Sequence, residues 1–187
     1  PVAQLVAVPE ALDAAHASFV EPIAAALAVR DAGLELGARG AVVGRGRIAT
    51  LVARVLASLG ATAVEQRDGD EPPAGRRDSY GWAIVTGPDA QALGAAVEIV
   101  APGGVIVVRS RAPWPVEVSL GAITRKRLTL RGVDYAPFAD AVAWALAWPQ
   151  HDLLAEPLPL ADWPAAFAAA RAGEARKVLL ACGEATG

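Results

Sequence analysis

A doubly wound α/β fold built on a parallel sheet is predicted for this chain of 187 residues. Three observations carry the prediction. Short β-branched runs alternate with stretches of helical periodicity. A glycine turn joins the first of these strand–helix pairs. The chain is 54% hydrophobic, with mean hydropathy +0.36, which is enough for a large core. The length suits one domain of ordinary size, or at most one and a half.

The elements follow in order. Residues 2–8 read as a short strand stopped by Pro9, and residues 10–17 as a helical turn or linker. Glu21-Pro22 opens an Ala-rich helix to about Ala32, with the proline in the first turn, where its missing N–H matters least. Gly33 ends it, and 34–40 is a loop. Ala41-Val42-Val43 is a strand, and Gly44-Arg45-Gly46-Arg47-Ile48-Ala49 turns into a helix over 47–59. Its apolar positions Ile48, Leu51, Val52, Val55, Leu56 and Leu59 share one face. Gly60 closes the helix and a second strand begins at 61–64 and ends at Glu65-Gln66, giving one strand–helix–strand unit. Residues 67–79 read as a polar loop containing Pro72-Pro73 and Gly75. Strands are expected at 82–85, 105–108, 128–133 and 177–181, and helices at 89–100, 137–148 and 161–172.

Composition excludes several classes. Seventeen basic residues stand against 20 acidic ones, net −3, so the chain is no electrostatic trap for nucleic acid. No apolar run reaches the length of a membrane span. The start lacks the basic and apolar regions of a signal peptide. An initiator Met before Pro1 would normally be trimmed, so a nearly native start is expected. Cys182 is the single cysteine and there are two histidines, few ligands for a metal. A cytoplasmic location fits this usage. Fifteen Arg against two Lys, with abundant Ala, point to coding bias more than to function.

A G-x-G-x-x-G/A turn between strand and helix points to phosphate. The first small residue permits the turn, the second admits a pyrophosphate to the backbone, and the third lets helix and strand pack closely. Gly44, Gly46 and Ala49 fill these places, and the phosphates would sit on amides of the helix N-terminus. The bland alternative is a tight turn that holds no ligand. A ribose reader is expected about 20 residues on. Arg67 and Asp68 both fall there, Asp68 favouring NAD and Arg67 the 2′-phosphate of NADP. A solvated loop is the competing reading.

The order of motifs resembles the medium-chain dehydrogenase/reductases, the group of the zinc alcohol and polyol dehydrogenases. Phe19-Val20-Glu21-Pro22-Ile23-Ala24 resembles their helix start before the cofactor domain. Residues 41–49 resemble their Rossmann-like nucleotide turn, and Ile84-Val85-Thr86-Gly87 the strand end beside the nicotinamide. Residues 101–108 resemble their Pro-Gly-Gly strand, 127–132 the strand at the dimer seam, and 158–167 with 176–180 the C-terminal helix and strand. The resemblance implies a cofactor domain over 22–150, flanked by a remnant of the substrate domain at 1–21 and a returning segment at 151–187. It implies weak NAD or NADP binding through Gly44, Gly46, Arg47, Ile48, Arg67 or Asp68, Thr86 and Ser110. It also implies a homodimer through 128–133.

The departures from that pattern are large. The substrate and zinc domain is essentially missing, so no zinc is expected. Glu21 matches a zinc-ligand position of the polyol branch but lacks partners, and His16, His151 and Cys182 read as surface or packing residues. The helix and third strand that normally follow the second strand are expected to be absent. Arg109-Ser110-Arg111 replaces an apolar residue and a glycine, placing charge where the nicotinamide would lie. Three readings follow. One is an NAD(P)-binding oxidoreductase component whose partner subunit supplies a catalytic domain. Another is a non-catalytic scaffold or binding subunit. The third is an enzyme acting on an anionic small molecule through Arg45, Arg47, Arg109 and Arg111. Tyr80, Asp134 and Tyr135, with Asp78, are the weak candidates for acid–base work.

Overall fold

The computed structural model describes residues 5–67, 76–87, 89–110, 113–172 and 176–182. Five parallel strands form one sheet: β1 (Gly40–Val43), β2 (Val64–Arg67), β3 (Tyr80–Val85), β4 (Val100–Val108) and β5 (Thr129–Gly132). Their order is β2-β1-β3-β4-β5, every pair parallel. This is the predicted doubly wound sheet in its reduced form. Among the described residues nothing pairs with the outer edge of β2, where a third strand was expected to be missing.

Helices cover both faces. On one lie α2 (Val20–Leu27), α3 (Gly46–Ser58) and α6 (Phe138–Ala147), packed on Val42, Trp82, Ile84 and Val107. On the other, α4 (Ala90–Ile99) and α5 (Leu120–Lys126) pack with Ala41, Val43, Tyr80, Ala83, Val85 and Ile106. Side chains of a strand alternate between faces. Tyr80 and Trp82 should therefore share one, yet they lie in different cores. A register shift between them in the β3–β4 ladder reverses the parity.

Local chemistry explains the boundaries. Asp89 caps α4 by accepting the Ala92 N–H at 2.7 Å, and Ser119 caps α5 by accepting that of Ala122 at 3.3 Å. The first helical turn, α1 (Ala14–Ala17), is capped by Asp13. Pro22 sits in the first turn of α2, and a 3₁₀ extension carries that helix to Ala32.

Several expectations are corrected. Residues 5–8 form no strand; Leu5, Val6 and Val8 are exposed and no neighbouring strand offers them a ladder. Residues 2–4 lie outside the described residues. The second strand runs over Val64–Arg67, starting later than Ala61 and ending one residue beyond Gln66, because β1 pairs Gly40 with Val64 and Val43 with Arg67. The last strand shrinks to β7 (Leu180–Ala181), which pairs with the two-residue β6 (Leu158–Pro159). An isolated bridge, Leu154 to Lys177, extends this small sheet. Between its strands lies α7 (Trp163–Arg171), whose Trp163 and Phe167 stay half-exposed in an edge-to-face pair. The strand expected at 128–133 is β5, and all four of its residues are exposed. No helix among the described residues is long and apolar enough to cross a membrane.

Candidate functional site

The strand order turns around at β1: the chain leaves β1 for β2 on one side and returns as β3 on the other. In open α/β sheets such a reversal leaves a crevice beyond the carboxyl ends of the strands. Gly44 and Thr86 face each other there. Thr86 donates its N–H to the Val43 carbonyl at 2.9 Å. A Cβ on Gly44 would stand 2.1 Å from the Thr86 hydroxyl, and Gly44 itself has φ +142°. Only glycine fits at this point. Gly46 has φ +76° with open space around it. Arg45 is the N-cap of α3, and its side chain makes no capping hydrogen bond. The N-cap side chain thus leaves the first-turn amides of this 13-residue helix to another acceptor, as an anion seat requires. Ala49 is fully buried beneath the turn.

A cavity of about 310 Å³ opens beside this turn. Helix α2 supplies Glu21, Pro22, Ala25 and Ala26; α3 supplies Ile48 and Val52; the ends of β3 and β4 supply Thr86, Arg109 and Ser110; Tyr135 closes one side. An apolar wall with a few convergent polar groups is the usual make-up of a small-molecule pocket. The volume suits one half of a dinucleotide rather than the whole.

The polar groups are already engaged with one another. The Tyr135 hydroxyl donates to the Glu21 carboxylate at 2.5 Å. Arg109 donates from Nε to the Ala25 carbonyl at 2.8 Å, and its guanidinium lies 5.6 Å from the centre of the Tyr135 ring. Lys177 reaches back from the C-terminal segment to donate to the Ser18 carbonyl at 2.5 Å, over the Phe19 ring. Burial pushes this ammonium below the ordinary lysine range; the charge of Arg47 adds to that and Glu21 opposes it.

The crevice thus brings together Gly44, Gly46, Ile48, Thr86, Ser110 and Tyr135 of the sequence-derived candidates, with Arg47 half-buried on the first turn of α3. Others lie elsewhere. Arg67 turns back onto the Glu65 carboxylate at 2.8 Å instead of facing the crevice. Asp68 and Arg111 lie outside the described residues. Tyr80 is fully buried, and its hydroxyl donates to Glu65 at 2.8 Å, so it does not reach the pocket. Glu65 also accepts from Arg39 and Arg76. Burial opposes its charge, but the Tyr80 hydroxyl and the three arginines outweigh that and hold it below the usual carboxylate range. Asp134 is exposed and Asp78 lines a different cavity, near Lys126. Sequence reasoning missed Lys177 and the α2 wall. The signal for α2 was present in the Ala24-Ala25-Ala26 run, which leaves room for a ligand.

Zinc does not fit the residues present. Among the described residues no three His, Cys, Asp or Glu side chains converge on one point, and Cys182 is exposed. The Glu21 carboxylate is bonded to Tyr135. Elemental analysis of the purified chain is expected to give well under one zinc per molecule; one tightly held zinc would refute this.

No family model matches the chain, and no curated protein matches it by sequence. Solved structures do match. The 2R,3R-butanediol dehydrogenase of Bacillus subtilis superposes with a TM-score of 0.79 at 23% identity, covering 94% of this chain and 60% of its own. The L-idonate 5-dehydrogenase of Escherichia coli gives 0.82 at 20% identity, covering 95% and 60%. TarJ of S. aureus, solved in complex with NADPH, gives 0.80 at 18% identity, covering 94% and 66%. The chain shares the fold of these proteins and spans about 60% of the length of the two dehydrogenases.

Proposed function

We propose that this chain is the nucleotide-holding part of an NAD(P)-dependent oxidoreductase and has no zinc site of its own. One observation carries the reading. The cavity lies at the reversal of strand order, next to a glycine turn whose helix is not capped by its N-cap side chain. The likeness in fold to two dehydrogenases, and to TarJ solved in complex with NADPH, supports it.

A bound nicotinamide would supply hydride donation or acceptance. The chain's own residues would do the rest. Amides of Gly46, Arg47 and Ile48 would hold the pyrophosphate, with Arg47 and Lys177 adding positive charge. Thr86 and Ser110 would meet the nicotinamide end, and Ala25, Ala26 and Val52 would exclude water from it. Glu21 and Tyr135 would form a hydrogen-bonded pair at the rim. A partner subunit or further domain would polarise the substrate oxygen. A second reading, a binding or scaffold subunit without catalysis, is favoured by one detail: Arg109 lies along the pocket wall, fixed to Ala25 and Tyr135. In either reading we propose a homodimer joined through residues 128–133.

Calorimetry with NAD and NADP tests the reading. The expected constant is high micromolar, about −5 to −6 kcal/mol, because the adenosine side is shortened. Submicromolar binding would show that side to be intact. No heat at millimolar nucleotide would remove the reading and leave the scaffold.

A further inference from the structure

The chain's two histidines, 135 residues apart in sequence, meet in the fold. His16 Nε2 lies 2.8 Å from His151 Nδ1, with the rings edge to face and their centroids 4.5 Å apart. On its other side, His16 Nδ1 lies 2.7 Å from Asp13 Oδ2. The His16 backbone N–H also bonds to Asp13, at 2.9 Å. Together these hold the Asp13 carboxyl below the usual range, the backbone bond contributing most. Asp13 therefore stays an acceptor throughout the range in which imidazoles titrate, about pH 5 to 8. The arrangement is tied to its surroundings. Asp152, the neighbour of His151, is held by Arg54 of α3 at 2.5 and 2.9 Å, and Arg54 also donates to Gln150 at 2.7 Å. A small cavity walled by Leu12, Ala145, Leu146 and Pro149 adjoins the pair.

Proton counting defines how this contact behaves. A carboxylate can only accept, so His16 carries a proton on Nδ1 and offers its Nε2 lone pair to His151. In the neutral pair His151 therefore donates from Nδ1. One added proton leaves the bond intact: His151 can take it on its outer Nε2 and still donate, with Asp13 and Asp152 nearby to offset the charge. A second proton removes the last lone pair between the rings. Two N–H groups and two positive charges then face each other, with a further cation, Arg54, bonded to the adjacent Asp152. The remaining contacts, Ala11, Leu12, Ala145, Leu146 and Pro149, carry no charge.

We propose that Asp13, His16 and His151 form a proton-operated clasp that fastens α1 to the turn after α6, closed with up to one added proton and opened by the second. The clasp stands independently of the nucleotide reading. It bears on the pocket because α1 leads directly into α2, which carries Glu21, Pro22, Ala25 and Ala26 of the wall.

With only two histidines in the chain, both imidazoles can be assigned without ambiguity by long-range ¹⁵N–¹H spectra. At pH 8 both are expected to carry the proton on Nδ1, and on acidification to titrate as a coupled pair in two steps. Amide protection factors over 12–20 and 150–154 should fall about tenfold or more across the second step. Those of Val42 and Ile84 in the sheet should hold, which separates clasp opening from general acid unfolding. His151→Gln should remove the step, and Asp13→Asn should change the His16 tautomer while leaving the sheet protected. An Nε2–H tautomer on either ring at pH 8, flat protection over 12–20, or an unchanged step in His151→Gln would each overturn the clasp.

Discussion

Replacing Gly40 with alanine is expected to cost the fold about 3 kcal/mol. A Cβ at this position would lie 2.0 to 2.2 Å from three ring atoms of Trp82. That indole has no room to retreat. It is 1% exposed, it sits in the core under α2 and α3, and its Nε1 donates to the Glu35 carbonyl at 3.0 Å. Both residues also lie on adjacent strands in direct register, Gly40 opposite Trp82. Neither strand can slide without breaking its ladder. Urea unfolding should show the loss as a midpoint lowered by about 1.5 M, for a slope of about 2 kcal/mol per M. Trp82→Phe lacks the outer ring atoms that clash. The double variant should therefore be more stable than the sum of the two single losses predicts, by about 1 kcal/mol or more. Strict additivity would show that the clash is relieved elsewhere.

At low micromolar concentration the chain is expected to sediment at twice its mass of 19.1 kDa. Strand β5 is hydrogen-bonded to β4 on one side, from Thr129 opposite Val105 to Gly132 opposite Val108. Among the described residues no strand takes its other side, and all four of its residues are exposed. An open edge of this kind invites another chain, and a two-fold axis satisfies both copies at once. An axis through Leu130 would set Arg131 beside Thr129 rather than beside its own copy. Leu130→Pro removes a backbone donor and should give a monomer or break the fold. Leu130→Lys keeps the backbone but places a charge at the axis, and should give a folded monomer. A wild-type chain that stays monomeric at high micromolar concentration would refute the seam.

The framework was legible because its signals are local. Periodicity from Ile48 to Leu56 marks α3, the β-branched run 105–108 marks β4, and the glycine turn places their junction. The late start of β2, at Val64, was not legible. It depends on Glu65 finding Arg39, Arg67, Arg76 and Tyr80, contributed from before β1, from β2 itself and from ahead of and within β3. No window of sequence displays such a cluster, and Glu-Gln-Arg has little strand propensity of its own. Helix α5 escaped notice because it is a single capped stretch with no buried residue. Strand β6 escaped because it holds two residues, one of them proline. At the site, the turn and the strand ends Thr86 and Ser110 were readable. The pairings Glu21–Tyr135 and His16–His151 were not, since each joins residues more than 100 positions apart.

The register shift at the start of β3 sets what length changes this lineage can tolerate. Tyr80 serves one core and Trp82 the other because an irregular step lies between them. Residues gained or lost ahead of Tyr80 leave both assignments untouched. Straightening this step with Gly81 kept would put both aromatic rings on one face, whereas loss of Gly81 would make them neighbours and still send them to opposite cores. Descendants of this sequence should therefore vary in length before β3 and, between Tyr80 and Trp82, either keep the irregular step or drop the glycine, so that a single codon decides whether two separately evolving interiors stay in phase.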